Sequence, residues 1–167
     1  MEIRDAMEAD IDEIAAIYNE VLTHSTAIYN DTPATREDRL AWWRARRDQG
    51  YPVVVAIDDE RVVGFASFSD FRPWPGYRFT VEGTVHIHAG KRGQGVGTEM
   101  LKHIIERARA LDKHTMIAGV DSENTASLRF LEQFGFERAG YLREVGFKFD
   151  CFLDLVFLQY WLTSRGR

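Results

Sequence analysis

Apolar residues in the N-terminal part of the chain recur at helical spacing. Ile11, Ile14, Ile17, Tyr18, Val21 and Leu22 stand three and four residues apart and line one face of a helix. Asp10, Asp12 and Glu13 lie at its start, where negative charge suits the helix dipole. Residues 1–6 before it are short and β-like, and residues 24–33 after it show no period and predict a loop. Thr35 followed by Asp38 is an acidic variant of the capping box; it opens a second helix through Leu40, Trp42, Trp43 and Arg47, ended near Gly50 and Pro52. Two β-branched runs follow, 53–57 and 62–68, joined by the hairpin signal Asp58-Asp59-Glu60-Arg61. Residues 80–88 predict a further strand. Val96, Met100, Leu101, Ile104, Ile105, Ala108 and Leu111 then mark the inner face of a third helix. A strand at 115–120, a short helix at 125–134 closed by Gly135, and strands at 136–141 and 151–162 complete the pattern. The order β-α-α-β-β-β-α-β-α-β-β predicts one α/β domain over residues 1–167 around a mixed sheet.

Composition narrows the class. Of 167 residues 45% are hydrophobic, enough for a packed core and too many for a disordered chain. Lys and Arg number 21 against 26 Asp and Glu, so the net charge of −5 argues against a nucleic-acid partner. The single cysteine, Cys151, excludes an internal disulfide and a thiolate-rich zinc site, and its apolar run Cys151-Phe152-Leu153 predicts burial. His86 and His88 share a strand face at i, i+2, but His24, His103 and His114 fall in separate elements, and no metal is expected. The N-terminus lacks a basic segment followed by an apolar one, and no apolar stretch approaches the ~18 residues that would span a bilayer. The expectation is a soluble cytoplasmic protein without a membrane partner.

The segment Gly90-Lys91-Arg92-Gly93-Gln94-Gly95-Val96-Gly97-Thr98 lies between a predicted strand and a predicted helix. Glycines there let backbone N–H groups turn inward, and a helix N-terminus attracts anions. A Walker loop fails for want of lysine before Thr98. A dinucleotide fingerprint fails because Gly93-x-Gly95 runs on to Thr98, and Gly95-x-Gly97 to Met100. On these residues alone a turn that merely joins strand to helix stays open.

Arg92-x-x-Gly95-x-Gly97 resembles the pyrophosphate loop of the GNAT family of N-acetyltransferases. The preceding Gly83-Thr84-Val85-His86-Ile87-His88 is similar to that family's cofactor-binding strand. The stretch from Asn124 through Leu131 to Gly135-Phe136 resembles its second motif, and Ile3-Arg4-Asp5-Ala6 its usual opening. The resemblance covers essentially the whole chain. It implies a mixed, mostly antiparallel central sheet flanked by helices, with splayed parallel strands forming an acetyl-CoA cleft. It also implies that Val85, His86 and Ile87 line the pantetheine arm, with the N–H of Val85 or Ile87 polarising the thioester carbonyl. Arg92, Gly93, Gln94, Gly95, Val96 and Gly97 would take the pyrophosphate, and Asn124 would contact the pantetheine. The segment Tyr77-Arg78-Phe79-Thr80-Val81-Glu82 is similar to the phosphinothricin and methionine sulfoximine acetyltransferase branch, which makes Glu82 the implied base. At the place where many members carry the Tyr or His that protonates the thiolate stands Leu131, so water, Tyr141 or no acid at all would serve.

On the acceptor side, Phe71-Arg72-Pro73-Trp74-Pro75-Gly76-Tyr77-Arg78-Phe79 interleaves aromatics with arginines. It reads as a stiffened surface loop or, with the resemblance, as a substrate wall. There Arg72 would meet an α-carboxylate while Phe71, Trp74 and Tyr77 exclude water. Tyr29 is the second implied contact. The implied acceptor is the α-amine of a small amino-acid analogue such as methionine sulfoximine, methionine sulfone or phosphinothricin. A peptide N-terminus, a polyamine, or a non-catalytic acyl-CoA-binding module are the alternatives. Trp42 and Trp43 cannot both face the core of one helix. One of them, with Phe152, Phe157, Tyr160 and Trp161, is a candidate subunit contact, and family analogy implies a homodimer.

Overall fold

A computed structural model describes residues 1–164. Strand β1 (Glu2–Asp5) leads through a 3-10 turn to α1 (Ile11–His24) and α2 (Arg36–Asp48). Then come β2 (Val53–Asp58), β3 (Arg61–Asp70), β4 (Thr80–Ile87), α3 (Val96–Ala110), β5 (Thr115–Asp121), α4 (Thr125–Phe134), β6 (Glu137–Lys148) and β7 (Cys151–Trp161). These elements follow the predicted order. Thr35 caps α2 as its sequence indicates: its hydroxyl accepts the Asp38 N–H at 3.1 Å, while the Asp38 carboxylate accepts the Thr35 N–H at 2.8 Å.

The seven strands lie in the order β1-β2-β3-β4-β5-β7-β6, antiparallel throughout except for β4 against β5. Helices cover both faces because the central strands alternate apolar residues on both. Val53 and Val55 pack with Ile11, Ile14, Ile17 and Trp43 of α1 and α2. Val54 and Ala56 pack instead with Met100, Leu101, Ile104 and Leu128 of α3 and α4.

The parallel pair is short. It runs only from Thr80↔Thr115 to Glu82↔Ile117, after which the strands part, as the resemblance implies. Beyond the fork β4 stays with β3, down to Gly64↔Ile87, while β5 stays with β7, down to Asp121↔Leu155. Met116 wedges the fork: its Sδ lies 2.8 Å from where a Cβ on residue 83 would stand, so a larger residue there would have to push the Met116 side chain aside.

Three expectations need correction. Cys151 is exposed, because it sits at the turn of the β6–β7 hairpin, where it pairs with Lys148 and, among the described residues, no further strand or helix covers its side chain. Strand β6 runs well beyond residue 141. Its register shifts between Leu142 and Gly146, with Glu144 at φ +51°, which breaks the alternation that a strand pattern needs. The tryptophan pair does not divide between core and surface, since both rings pack against the same cluster. Trp43 is buried and its indole N–H donates to the Ala6 carbonyl at 3.2 Å, whereas Trp42 meets Phe65 edge-on.

Candidate active site

The fork between β4 and β5 leaves one backbone edge of β4 open. The Phe71 N–H donates to the Thr80 carbonyl and the His88 N–H to the Val63 carbonyl, so the even-numbered residues of β4 turn their polar groups toward β3. Strand alternation sends the N–H and C=O groups of Val85 and Ile87 to the opposite edge, where β5 has moved away. The Ile87 carbonyl accepts the Arg92 guanidinium Nε at 3.1 Å. A cleft of about 120 Å³ occupies the fork, lined by Gly83, Val85, Met116, Gly119, Asn124 and Leu131 among others.

At the end of that cleft the chain turns through Gly93 (φ +73°) and Gly95 (φ +85°) into α3. Both conformations are left-handed, and a Cβ at either position would meet nothing, so glycine is favoured by the backbone rather than by crowding. The first N–H groups of α3 have no acceptor within the helix and face the loop with the positive end of its dipole. Gln94 donates to the Gly90 carbonyl at 3.0 Å and Val96 is buried. Lys91 does not add free charge, since its ammonium pairs with Asp58 at 2.6 Å. Asn124 caps α4 by accepting the Ser127 N–H at 3.1 Å, which fixes its side chain on the cleft wall. Leu131 is buried on that wall, whereas Tyr141 does not line the cleft and its hydroxyl donates to Asp154.

A second cavity, of about 280 Å³, lies on the α1–α2 side of the sheet. Glu82, Thr84 and His86 of β4 enter it, facing Tyr18, Arg39, Trp42 and Arg46 from α1 and α2 and Phe65 and Ser67 from β3. Ala27, Thr84 and His86 line both cavities, so the two meet across the C-terminal half of β4. Burial raises the Glu82 pKa above the ordinary carboxylate range, partly opposed by the charge of Arg72. Its Oε1 lies 3.4 Å from where a Cβ on Gly119 would stand. Burial also pushes His86 down to about 4, helped by the charges of Arg39 and Arg92, so its imidazole is neutral at pH 7.

The remaining sequence-derived residues lie farther out. Arg72 is exposed, stacked 4.4 Å from its own neighbour Phe71, and close enough to Glu82 to influence its ionisation. Phe71 meets Phe157 and Tyr77 edge-on. Trp74 and Tyr77, 65% and 44% exposed, line neither cavity. Tyr29 also lies outside both. Its ring packs on Gly146, where a Cβ would come within 2.4 Å, and its hydroxyl donates to the Asp154 carbonyl at 3.1 Å. Among the described residues no three His, Cys, Asp or Glu side chains converge as a metal site would require.

Sequence reasoning missed Arg39 and Arg46. Their spacing with Trp42, at i, i+3 and i+7, was the available signal, but a charged helix face ordinarily reads as solvent-exposed.

Comparison with known proteins identifies relatives in sequence and in fold. Residues 12–136 match the model of the acetyltransferase (GNAT) family. The chain is 46% identical to an L-methionine sulfoximine/L-methionine sulfone acetyltransferase of Pseudomonas paraeruginosa, over 94% of this chain and 92% of that protein. It is 37% identical to a phosphinothricin N-acetyltransferase of Alcaligenes faecalis, over 94% of this chain and 80% of that one. The fold matches the crystal structure of a GNAT superfamily phosphinothricin acetyltransferase from Sinorhizobium meliloti in complex with AcCoA. That match has a TM-score of 0.92 at 34% identity and covers 96% of this chain and 87% of that one. No helix among the described residues is long and apolar enough to cross a membrane.

Proposed function

The chain belongs to the GNAT acetyltransferase family, and from that premise we propose that it transfers the acetyl group of acetyl-CoA to the α-amine of a small amino-acid analogue of the methionine sulfone, methionine sulfoximine or phosphinothricin type. Residues 1–167 act as one acetyltransferase domain. The observation that carries the reading is the meeting of two cavities across β4: a narrow one at the open strand edge, and a wider one that holds Glu82. A donor and an acceptor bound in them come together at Thr84 and His86, so positioning supplies part of the rate.

The cleft fits the donor by its own features. An open strand edge suits an amide-bearing arm, and the left-handed glycines before α3 present N–H groups to a pyrophosphate. Acetyl-CoA supplies the activated thioester. The N–H groups of Val85 and Ile87 hold its carbonyl oxygen, His86 lines the junction, and Arg92, Gly93, Gln94, Gly95, Val96 and Gly97 take the phosphates. Asn124 meets the arm from the opposite wall. Glu82, kept a better base than a solvated carboxylate by its burial, removes the ammonium proton of the acceptor directly or through a water. Leu131 offers no proton, so the thiolate leaves as an anion. A thiol of ordinary pKa ≈ 8.5 needs little help to do so. Arg72 holds the α-carboxylate beside Glu82, with Phe71, Trp74, Tyr77 and Tyr29 forming the outer wall.

We also propose a homodimer in a reducing cytoplasm. Leu142, Val145, Phe147, Phe149 and Phe152 stand exposed together on the β6–β7 hairpin, at the open edge of the sheet, where a second copy would cover them. An exposed free Cys151 fits that compartment.

The test is CoA thiol release from acetyl-CoA with a panel of α-amino acids, their decarboxylated amines and polyamines, with product mass read in parallel. N-acetylated amino acids are expected. Release with amines lacking the carboxylate, and none with amino acids, would overturn the acceptor. Acetyl-CoA binding without release for any amine would make the chain a binding module.

A further inference from the structure

The wall that α2 gives to the acceptor cavity carries two arginines which the scheme above leaves unused. Leu40 and Trp43 turn to the core, while Arg39, Trp42 and Arg46 share the face on the cavity. Arg39 is fixed there between two rings, with its Cζ 4.2 Å from the Tyr18 centroid and 4.7 Å from that of Trp42. Arg46 is held by a 3.0 Å bond from Nη1 to the Gln49 side chain. The Nε of each is buried and, among the described residues, meets no hydrogen-bond acceptor. Neither guanidinium forms an ion pair among those residues. Asp70, whose charge favours ionised Arg46, is itself engaged by the Tyr51 hydroxyl.

Two cations drawn out of water without a counter-charge are unfavourable unless a ligand supplies one or several oxygens. Burial weakens the protonation of both guanidiniums, and for Arg39 the charge of Arg46 adds to it. The rest of the cavity is not anion-like. Phe65, Phe68 and Ile28 offer apolar surface, and the Ser67 hydroxyl is committed to the Pro52 carbonyl at 2.8 Å. The occupant therefore has an apolar stem and an oxygen-rich end. Arg72 and Glu82 already account for the α-carboxylate and the amine, which leaves the side-chain terminus for α2.

We propose that Arg39 and Arg46 form a second, distal subsite that reads the oxygens at the end of the acceptor side chain, on sulfone, sulfoximine, phosphinate or carboxylate groups. This rests on the acceptor being an α-amino acid. The subsite selects oxidised or acidic side chains over thioether and hydrocarbon ones of the same length. Arg39 supplies the rigid contact, clamped by Tyr18 and Trp42, and Arg46 the adjustable one.

The test compares L-methionine sulfone with L-methionine, which differ only in the two sulfur oxygens. In Arg39→Met and Arg46→Met the ratio of kcat/KM for the sulfone over methionine is expected to fall about 10- to 100-fold, the range of a lost hydrogen bond to a charged group. Arg39→Lys, which keeps the charge, should restore part of the ratio. A ratio unchanged in both Met variants, with both acceptors weakened alike, would overturn the subsite. Calorimetric titration of methionine sulfone into CoA-loaded protein reads the same contact without turnover. Binding of the sulfone that survives both substitutions overturns the proposal, and binding lost only in the variants supports it. If the native protein binds the sulfone through these arginines yet acetylates no amino acid, the transfer reading falls and the subsite stands. Melting temperatures and acetyl-CoA affinity, measured on each variant, separate these effects from misfolding.

Discussion

The ammonium of Lys148, at the end of β6, donates a 2.8 Å hydrogen bond to the carbonyl of Ile28 in the loop after α1. The same nitrogen reaches the carbonyls of Leu22 and Ser25 at 2.5 and 2.7 Å. One buried cation thus gathers the end of α1 and the loop that follows it onto the β6–β7 hairpin. Ala27, inside that loop, walls both cavities, and Ile28 walls the acceptor cavity. The bond from the Thr26 hydroxyl to Asp121 ties the same loop to the end of β5.

Replacing Lys148 with Met should therefore act on stability and on both substrates together. The variant loses three charge-assisted donors and leaves carbonyls without them, a cost of about 2–4 kcal/mol. Thermal unfolding should show a lower midpoint, and KM should rise for donor and acceptor alike. A selective rise for one substrate would show that the loop does not serve as the shared wall.

Gly95→Ala separates backbone strain from ligand contact. Residue 95 sits at φ +85° with nothing near its Cβ direction, so the protein itself meets no collision. The left-handed conformation costs a non-glycine residue about 1–2 kcal/mol. Acetyl-CoA affinity should fall by more than that strain accounts for, because a methyl group enters the space where the phosphates lie. Calorimetric titration alongside thermal unfolding measures the two. Equal losses would place the phosphates elsewhere.

The exposed hairpin tip predicts association. Phe149→Glu combined with Phe152→Glu puts charge into an apolar patch without touching either cavity. Analytical ultracentrifugation should find the native chain dimeric and the double variant monomeric at micromolar concentration. A native chain that sediments as a monomer would remove the dimer proposal.

Local chemistry made much of this molecule legible from its residues. The Thr35–Asp38 box, the Gly135 stop and the turn at Gly93 and Gly95 are decided within a few residues, and each occurs where the sequence puts it. The fork of β4 and β5 was legible only through family resemblance, since no local pattern says where a ladder ends. Met116 under Gly83 is a contact between strands far apart in sequence. Arg39 and Arg46 were missed for a related reason. Helical periodicity assigns them to a polar face, and only the packing of α2 over β3 and β4 turns that face toward a cavity. Cys151 misled because an apolar run signals burial only where another layer covers it, and the far end of β6 because its shifted register breaks the alternation that marks a strand.

The pH profile of kcat/KM offers the sharpest check on Glu82. Burial favours its protonated form, and accepting a proton requires the ionised one, so the acid limb should lie above the ordinary carboxylate range. The Arg72 charge opposes that shift. Removing it in Arg72→Met should move the limb to higher pH, in addition to raising KM for carboxylate-bearing acceptors. Glu82→Gln should abolish the limb and lower kcat by about 10²- to 10⁴-fold, with the remaining rate climbing as the amine itself loses its proton. Stability gives an independent reading of the same carboxyl. With its folded pKa raised, the contribution of Glu82 is full below the unfolded value and is lost as pH rises through the folded one. Glu82→Gln, which cannot ionise, should lose less stability than the native chain over that interval. An acid limb that survives in Glu82→Gln, or one that Arg72→Met leaves unmoved, would assign the proton to another group.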